Sequence, residues 1–165
     1  MKEINIEENF EKSLISPMIL DNKLNVKFNY KSDFKSTKAL RDFIEESLTL
    51  FNFEKKWISR IILISDELNN NAIEYWSIDE DMNSMILMID WNNICIEVTD
   101  SGKWKEAKTA KEMEELRVNR LNKWFDNHDS IRWRWLFMII TRLVDELYFK
   151  DTKEWGLVVW IKKTL

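Results

Sequence analysis

The sequence predicts an α+β fold, a two-layer sandwich in which a mostly antiparallel sheet carries helices on one face. Three observations predict it. Short segments with an apolar residue at every second position are interspersed with long segments whose apolar residues recur every three to four. The later strand-like segments come in pairs joined by tight turns. The order strand, two helices, two strands, long loop, helix, two strands sets long helices beside hairpin-connected strands, which segregates the helices to one side of the sheet.

Each element follows from its own pattern. Residues 1–22 include the only proline, Pro17, and read as an irregular N-terminal extension to a domain spanning 23–165. Leu24-Asn25-Val26-Lys27-Phe28 alternates apolar and polar, the mark of a half-buried strand. From about Phe34 to Phe51, helical spacing links Leu40, Phe43, Ile44, Leu48 and Phe51. A second helix is predicted from Ile58 to Tyr75, with Ile61, Ile64, Leu68 and Ala72 on one face. Two strands follow, Ser84–Asp90 and Asn93–Thr99, about a turn at Trp91-Asn92. Ser101 to Ser130 is polar and loop-like and holds one helix, whose start is marked by the capping box Thr109-Ala110-Lys111-Glu112. Helical spacing returns in Leu136, Ile140, Leu143 and Leu147. Strands Glu146–Lys150 and Leu157–Lys162 close the chain about a turn at Asp151–Gly156.

Composition narrows the function classes. A length of 165 residues fits one domain, and 45% apolar with 33% charged residues describes an ordinary soluble protein. The net charge of -4, with charges interleaved along the chain, argues against a direct nucleic-acid partner. A single cysteine, Cys95, excludes an internal disulfide and a Cys-based zinc cluster, and its strand pattern reads as a buried structural thiol. No apolar run approaches the roughly 18 residues of a membrane span, and the N-terminus is polar, so no membrane partner and a cytoplasmic location are expected. One feature is anomalous. Average usage gives roughly 12 glycines in such a length, yet the chain has 2 glycines and 9 tryptophans.

The chemistry-bearing residues cluster in two segments. Glu67 and Asn71 sit four apart on the second helix, beside the apolar positions Leu68 and Ala72. A carboxylate and a carboxamide at the edge of a buried face need partners, which hydrated Mg²⁺ with phosphates would supply. On spacing alone, a solvated helix edge accounts for them as well. Asp100-Ser101-Gly102 ends a strand. In isolation it is a simple turn, or it places a carboxylate to accept from a nucleobase amine, with Gly102 letting the backbone approach the base.

Taken together these segments are specific. Glu67-x-x-x-Asn71-Ala72 resembles the N-box of the GHKL ATPases, the superfamily of sensor histidine kinases, gyrase-type ATPases and anti-sigma kinases. Asp100-x-Gly102, about 30 residues later, resembles the start of its D-x-G-x-G box. Residues Ile131–Val144 resemble its G-x-G-L box with the following helix, and Trp155-Gly156 its closing glycine pair. The four matches occur in the family's order, from about Leu24 to the C-terminus. They imply a Bergerat-type ATP-binding fold with a lid at about 104–132.

The departures from the pattern are themselves patterned. Trp76, Trp104, Trp133, Trp135 and Trp155, five of the 9 tryptophans, stand where the family has glycine. Trp57, Trp91 and Trp124 fall where backbone freedom is wanted, whereas Trp160 lies inside an apolar strand. Some bacteria read UGA as glycine, while a common alternative table reads it as tryptophan. Such misreading explains the pattern, since the glycines and tryptophans together number 11, close to the glycine content expected. Taken literally, the indoles describe a domain with a blocked pocket that persists as a protein-binding module. A plain structural α+β domain would require all four motif matches to be accidental.

The resemblance implies ATP and Mg²⁺ as cofactors, with Glu67 as general base and Asn71 as Mg²⁺ ligand. It implies Asp100 as adenine reader, and Gly102, Trp104, Trp133, Trp135 and Gly156 at positions where the backbone wraps the nucleotide. Arg132 and Arg134 either neutralise phosphate charge or are surface cations. Leu157 stands where the family often has a threonine near the base. The only histidine, His128, lies after the N-box and reads as a surface residue, which excludes a sensor histidine kinase; a gyrase-type transducer has no room. What is left is the stand-alone anti-sigma type. That implies an ATP-dependent serine/threonine kinase in transcription regulation, homodimeric, whose partners are a sigma factor and an antagonist protein.

Overall fold

Period-two alternation builds the sheet. The computed structural model describes residues 1–5, 12–73, 81–101, 108–122, 140–153 and 156–165. Six strands pair in one sheet: β1 (Lys2–Asn5), β2 (Lys23–Lys31), β3 (Met82–Asp90), β4 (Asn93–Thr99), β5 (Glu146–Asp151) and β6 (Leu157–Thr164), in the order β1-β2-β3-β4-β6-β5. All pairings are antiparallel except β1 with β2. Three helices accompany them: α1 (Lys35–Leu50), α2 (Lys55–Asn71) and α3 (Ala110–Asn122). The α+β sandwich read from the sequence is the observed architecture.

One face of the sheet is the core. Leu24, Val26 and Phe28 of β2, Met85, Leu87 and Ile89 of β3, Ile94, Ile96 and Val98 of β4, and Val159 and Ile161 of β6 are buried against the helices. Because side chains alternate across a strand, register alone brings Phe28, Met85, Val98, Val159 and Phe149 into one apolar rung. Helix α1 contributes Leu40, Phe43, Ile44 and Leu48, with Phe43 edge-on to Phe28 at 4.4 Å between ring centres. Helix α2 contributes Ile61, Ile64 and Leu68 and touches β4. Its Asp66 accepts two hydrogen bonds from Arg41 of α1, at 3.0 and 2.6 Å.

Turns are set by residues that tolerate the left-handed region. Asp21 and Asn22 both have positive φ between the mutually bonded Leu20 and Lys23, the two-residue turn that leads into β2. Helix α1 ends with Asn52 at φ 59°, its N–H on the Thr49 carbonyl and that of Phe53 on Leu48, a Schellman cap sealed by stacked Phe51 and Phe53.

Several expectations are corrected. Residues 1–22 are not irregular throughout: Lys2–Asn5 adds a parallel edge strand, two short 3₁₀ turns follow, and Ile15 is fully buried in the core. Strand β2 runs to Lys31 rather than Phe28, and β3 begins at Met82. Helix α2 starts three residues before Ile58, and its expected end at Tyr75 lies outside the described residues. Residues 140–143 are helical, whereas Leu147 belongs to β5. Cys95 is not a core thiol. It is half-buried on the outer sheet face, opposite Met88 and Lys162, because Ile94 and Ile96 take the inward positions. Burial raises its pKa. Among the described residues no helix is long and apolar enough to cross a membrane.

Candidate functional site

At the Tyr30 end, the apolar inner face of the sheet gives way to polar side chains. Tyr30 pairs with Asn83, and Asp100 follows Thr99, the partner of Ser84, so the register brings Asp100 opposite Asn83. Beyond Asp100 lies Leu157, the neighbour of Val158, which is itself paired with Thr99. Tyr30, Asn83 and Asp100 thus form a polar row across three adjacent strands, all of them buried, with Asp100 only 6% exposed. Buried polar groups cost stability unless they are satisfied, so such a row at the end of an apolar floor calls for a function.

Asp100 is held by the last turn of the chain. Its N–H donates to the Leu157 carbonyl at 3.2 Å, and the Leu157 N–H donates to its carboxylate at 3.1 Å. Gly156 makes this approach possible: a Cβ there would collide with the Asp100 carbonyl oxygen. Its own N–H donates to Thr152 Oγ1 at 2.8 Å, and the Thr152 N–H donates back to the Gly156 carbonyl at 2.8 Å. Leu157, where the resemblance implies a threonine, takes part through its backbone, with its side chain buried in the core.

Helix α2 delivers its amides to the same end of the sandwich. Asn69 Nδ2 donates to Thr37 Oγ1 at 3.0 Å, and Thr37 lies in the first turn of α1, just past the end of β2. On the sheet side, the Ser32 N–H donates to the Asp81 carbonyl and Ser101 Oγ to the Asp81 carboxylate, each at 2.8 Å. Asn71 is 4% exposed, and Glu67, one turn earlier on the same helix face, is half-buried. Among the described residues, Tyr30 Oη, Ser32 Oγ, Asn69 Oδ1 and Asn71 Nδ2 are buried without a hydrogen-bond partner. Burial, and after it the Asp100 charge, hold the Tyr30 phenol far above its ordinary pKa, so the group stays a donor.

Of the residues read from the sequence, Asn71, Asp100 and Gly156 therefore gather at one end, with Glu67 a turn away. Gly102, Trp104, Arg132, Trp133, Arg134 and Trp135 lie outside the described residues, as do Trp76, Trp124, Trp155 and His128. Sequence reasoning missed Tyr30, Asn69 and Asn83. The signal for Tyr30 was present: the alternation Leu24, Val26, Phe28 continues to it.

A cavity of about 630 Å³ opens beside Asp100, with Lys27, Asn83, Ser101, Thr152 and Lys153 on its wall. Neither Glu67 nor Asn71 lines it, and Lys27, Asn29, Ser84 and Thr99 do, residues that alternate with the inward-facing ones, so it opens on the sheet face away from the helices. Among the described residues no group of three His, Cys, Asp or Glu gathers as a metal site. A cation at Asn71 would therefore depend on phosphate and water oxygens for its remaining ligands. No protein-family model matches the chain, and no curated protein matches it significantly.

Proposed function

We propose that this protein binds ATP with Mg²⁺ and acts as a cytoplasmic regulatory kinase of the anti-sigma type, phosphorylating a serine or threonine of an antagonist protein. The observation that carries the reading is the cluster of buried polar side chains at one end of the sandwich. There Asp100 is pinned by Leu157 beside a sterically required Gly156, under a helix that brings Asn69 and Asn71. The donor set suits the ligand. The amide nitrogen of Asn71 is buried without a hydrogen-bond partner among the described residues and could donate to a phosphate oxygen, its carbonyl oxygen being the candidate ligand for a hydrated Mg²⁺, and Asp100 offers a fixed carboxylate to an exocyclic amine. Glu67, half-buried one turn before Asn71, accepts the proton of the attacking hydroxyl, a role that depends on reach rather than on an extreme pKa.

A second reading, a nucleotide-blocked domain that serves as a binding module for a sigma factor or antagonist, has one observation in its favour. Asn71 is almost fully buried, and the cavity beside Asp100 is lined by neither Glu67 nor Asn71. Titration calorimetry with ATP and Mg²⁺, on chain with glycine at positions 76, 104, 133, 135 and 155, separates the two. The kinase reading expects saturable binding that Asp100→Asn weakens by about tenfold or more, the cost of a lost charge-assisted bond. It also expects phosphoryl transfer that Glu67→Ala abolishes while binding persists. Absence of any adenine-nucleotide binding would leave the module.

A further inference from the structure

The polar rung contains a group that the kinase reading does not use. Tyr30 is fully buried, its hydroxyl has no partner among the described residues, and it shares a row with Asp100 two strands away. Strands lie about 4.8 Å apart, so the two backbones are about 10 Å apart, and the Asp100 charge acts on the Tyr30 phenol across that row. The ring has an apolar reason to be there, as it continues the column Leu24, Val26, Phe28. The hydroxyl has none. A phenylalanine would fill the same core without burying an unpartnered oxygen, whose burial is a net cost.

We propose that Tyr30 is a specificity-determining residue of the base site, its hydroxyl donating to a ring nitrogen while Asp100 accepts from the neighbouring exocyclic amine. This rests on the ATP-binding reading and sharpens it. A donor beside an acceptor complements the 6-aminopurine edge, where an unprotonated ring nitrogen adjoins an amine. A 6-oxopurine reverses both, presenting a ring N–H to the Tyr30 donor and a carbonyl to the Asp100 carboxylate. Rejection by unpaired or opposed buried polar groups is the strong form of discrimination. With its pKa raised by burial, the phenol keeps its proton, and so its donor role, across the neutral range.

The test compares ATP and inosine triphosphate by calorimetry on a parent chain carrying Trp76→Gly, Trp104→Gly, Trp133→Gly, Trp135→Gly and Trp155→Gly and on the same chain with Tyr30→Phe added, with thermal unfolding of both. The proposal expects ATP to bind the parent at least tenfold more tightly than inosine triphosphate. Tyr30→Phe should lose about tenfold for ATP while its Tm stays equal or rises. Unchanged ATP affinity in a folded Tyr30→Phe overturns the proposal and leaves ATP binding standing. Failure of the parent to bind ATP overturns both. If Tyr30→Phe does not fold, 1-deaza-ATP, which keeps the amine but replaces that ring nitrogen by C–H, takes its place. About tenfold weaker binding to the parent supports the Tyr30 contact, and equal binding removes it.

Discussion

At position 91 the backbone and the side chain disagree. Trp91 is the first central residue of the two-residue β3–β4 turn, with φ 54°, and it is 65% exposed. Asn92 is not among the residues with positive φ, so the turn is of the type that takes glycine at its first central position. An indole there gains little burial and bears a left-handed backbone worth about 1 kcal/mol or more of strain. Trp91→Gly is therefore expected to stabilise the protein by about 1 kcal/mol, seen as a higher midpoint in urea at unchanged slope. Trp57 and Trp160 differ in kind. Trp57 lies between Arg60 and Lys163, at 4.7 and 5.0 Å from its ring centre, and Trp160 stacks on Tyr148 at 4.7 Å. The sequence marked Trp160 as belonging where it is, and its stacking agrees. It grouped Trp57 with the misplaced indoles, and there the two cations give the ring a role that no spacing rule reveals.

Elements were legible where local chemistry specifies them and not where tertiary context does. The start of α3 is the clearest success. The Thr109 N–H donates to the Glu112 carboxylate at 2.7 Å, and the Glu112 N–H donates to Thr109 Oγ1 at 3.2 Å, the reciprocal bonds that the motif encodes. The Ala110 N–H donates to Asp151 at 2.7 Å, which fastens this helix start to the end of β5. Replacing the hydroxyl removes a cap worth about 1 kcal/mol, so Thr109→Ala should lower Tm by about 2–4 °C. The backbone N–H of Thr109, and then its hydroxyl, hold the Glu112 carboxyl below its ordinary value. A depressed carboxyl stabilises the fold above the unfolded-state pKa and loses that contribution as pH falls through the folded one. The Tm difference between the parent and Thr109→Ala should therefore narrow as pH falls below the ordinary carboxyl range and through the lowered folded-state pKa of Glu112. Strand β1 was illegible for the opposite reason. Four residues, Lys-Glu-Ile-Asn, carry no readable alternation. They are a strand because Glu3 accepts from Lys27 and Asn29 of β2, at 3.0 and 2.6 Å, and because Ile4 packs on the core.

For the whole molecule, the question is how a sandwich with an intact polar site relates to a chain nearly without glycine. One close approach among the described residues supplies a test case. Gly156 is one of only 2 glycines, and a side chain at that position would strike the Asp100 backbone. Where the described fold needs glycine for contact, glycine is present; at Trp91, where it favours glycine for conformation, tryptophan stands. Misreading of UGA accounts for both, because it converts only those glycines encoded by that codon. A blocked module with the same fold would keep Gly156 as well, since its close approach to Asp100 is structural, so the two accounts part at the tryptophan positions. The misreading account makes a prediction about mass and binding at once. Chain purified from its native host should be lighter than the sequence as written by several indole-for-hydrogen exchanges, mapped by peptide fragmentation to 76, 104, 133, 135 and 155. A protein carrying Trp76→Gly, Trp104→Gly, Trp133→Gly, Trp135→Gly and Trp155→Gly together should bind ATP where the literal chain does not, since a backbone without Cβ atoms can approach phosphates. Native chain whose mass matches tryptophan at all five positions would sink the misreading and favour the blocked module.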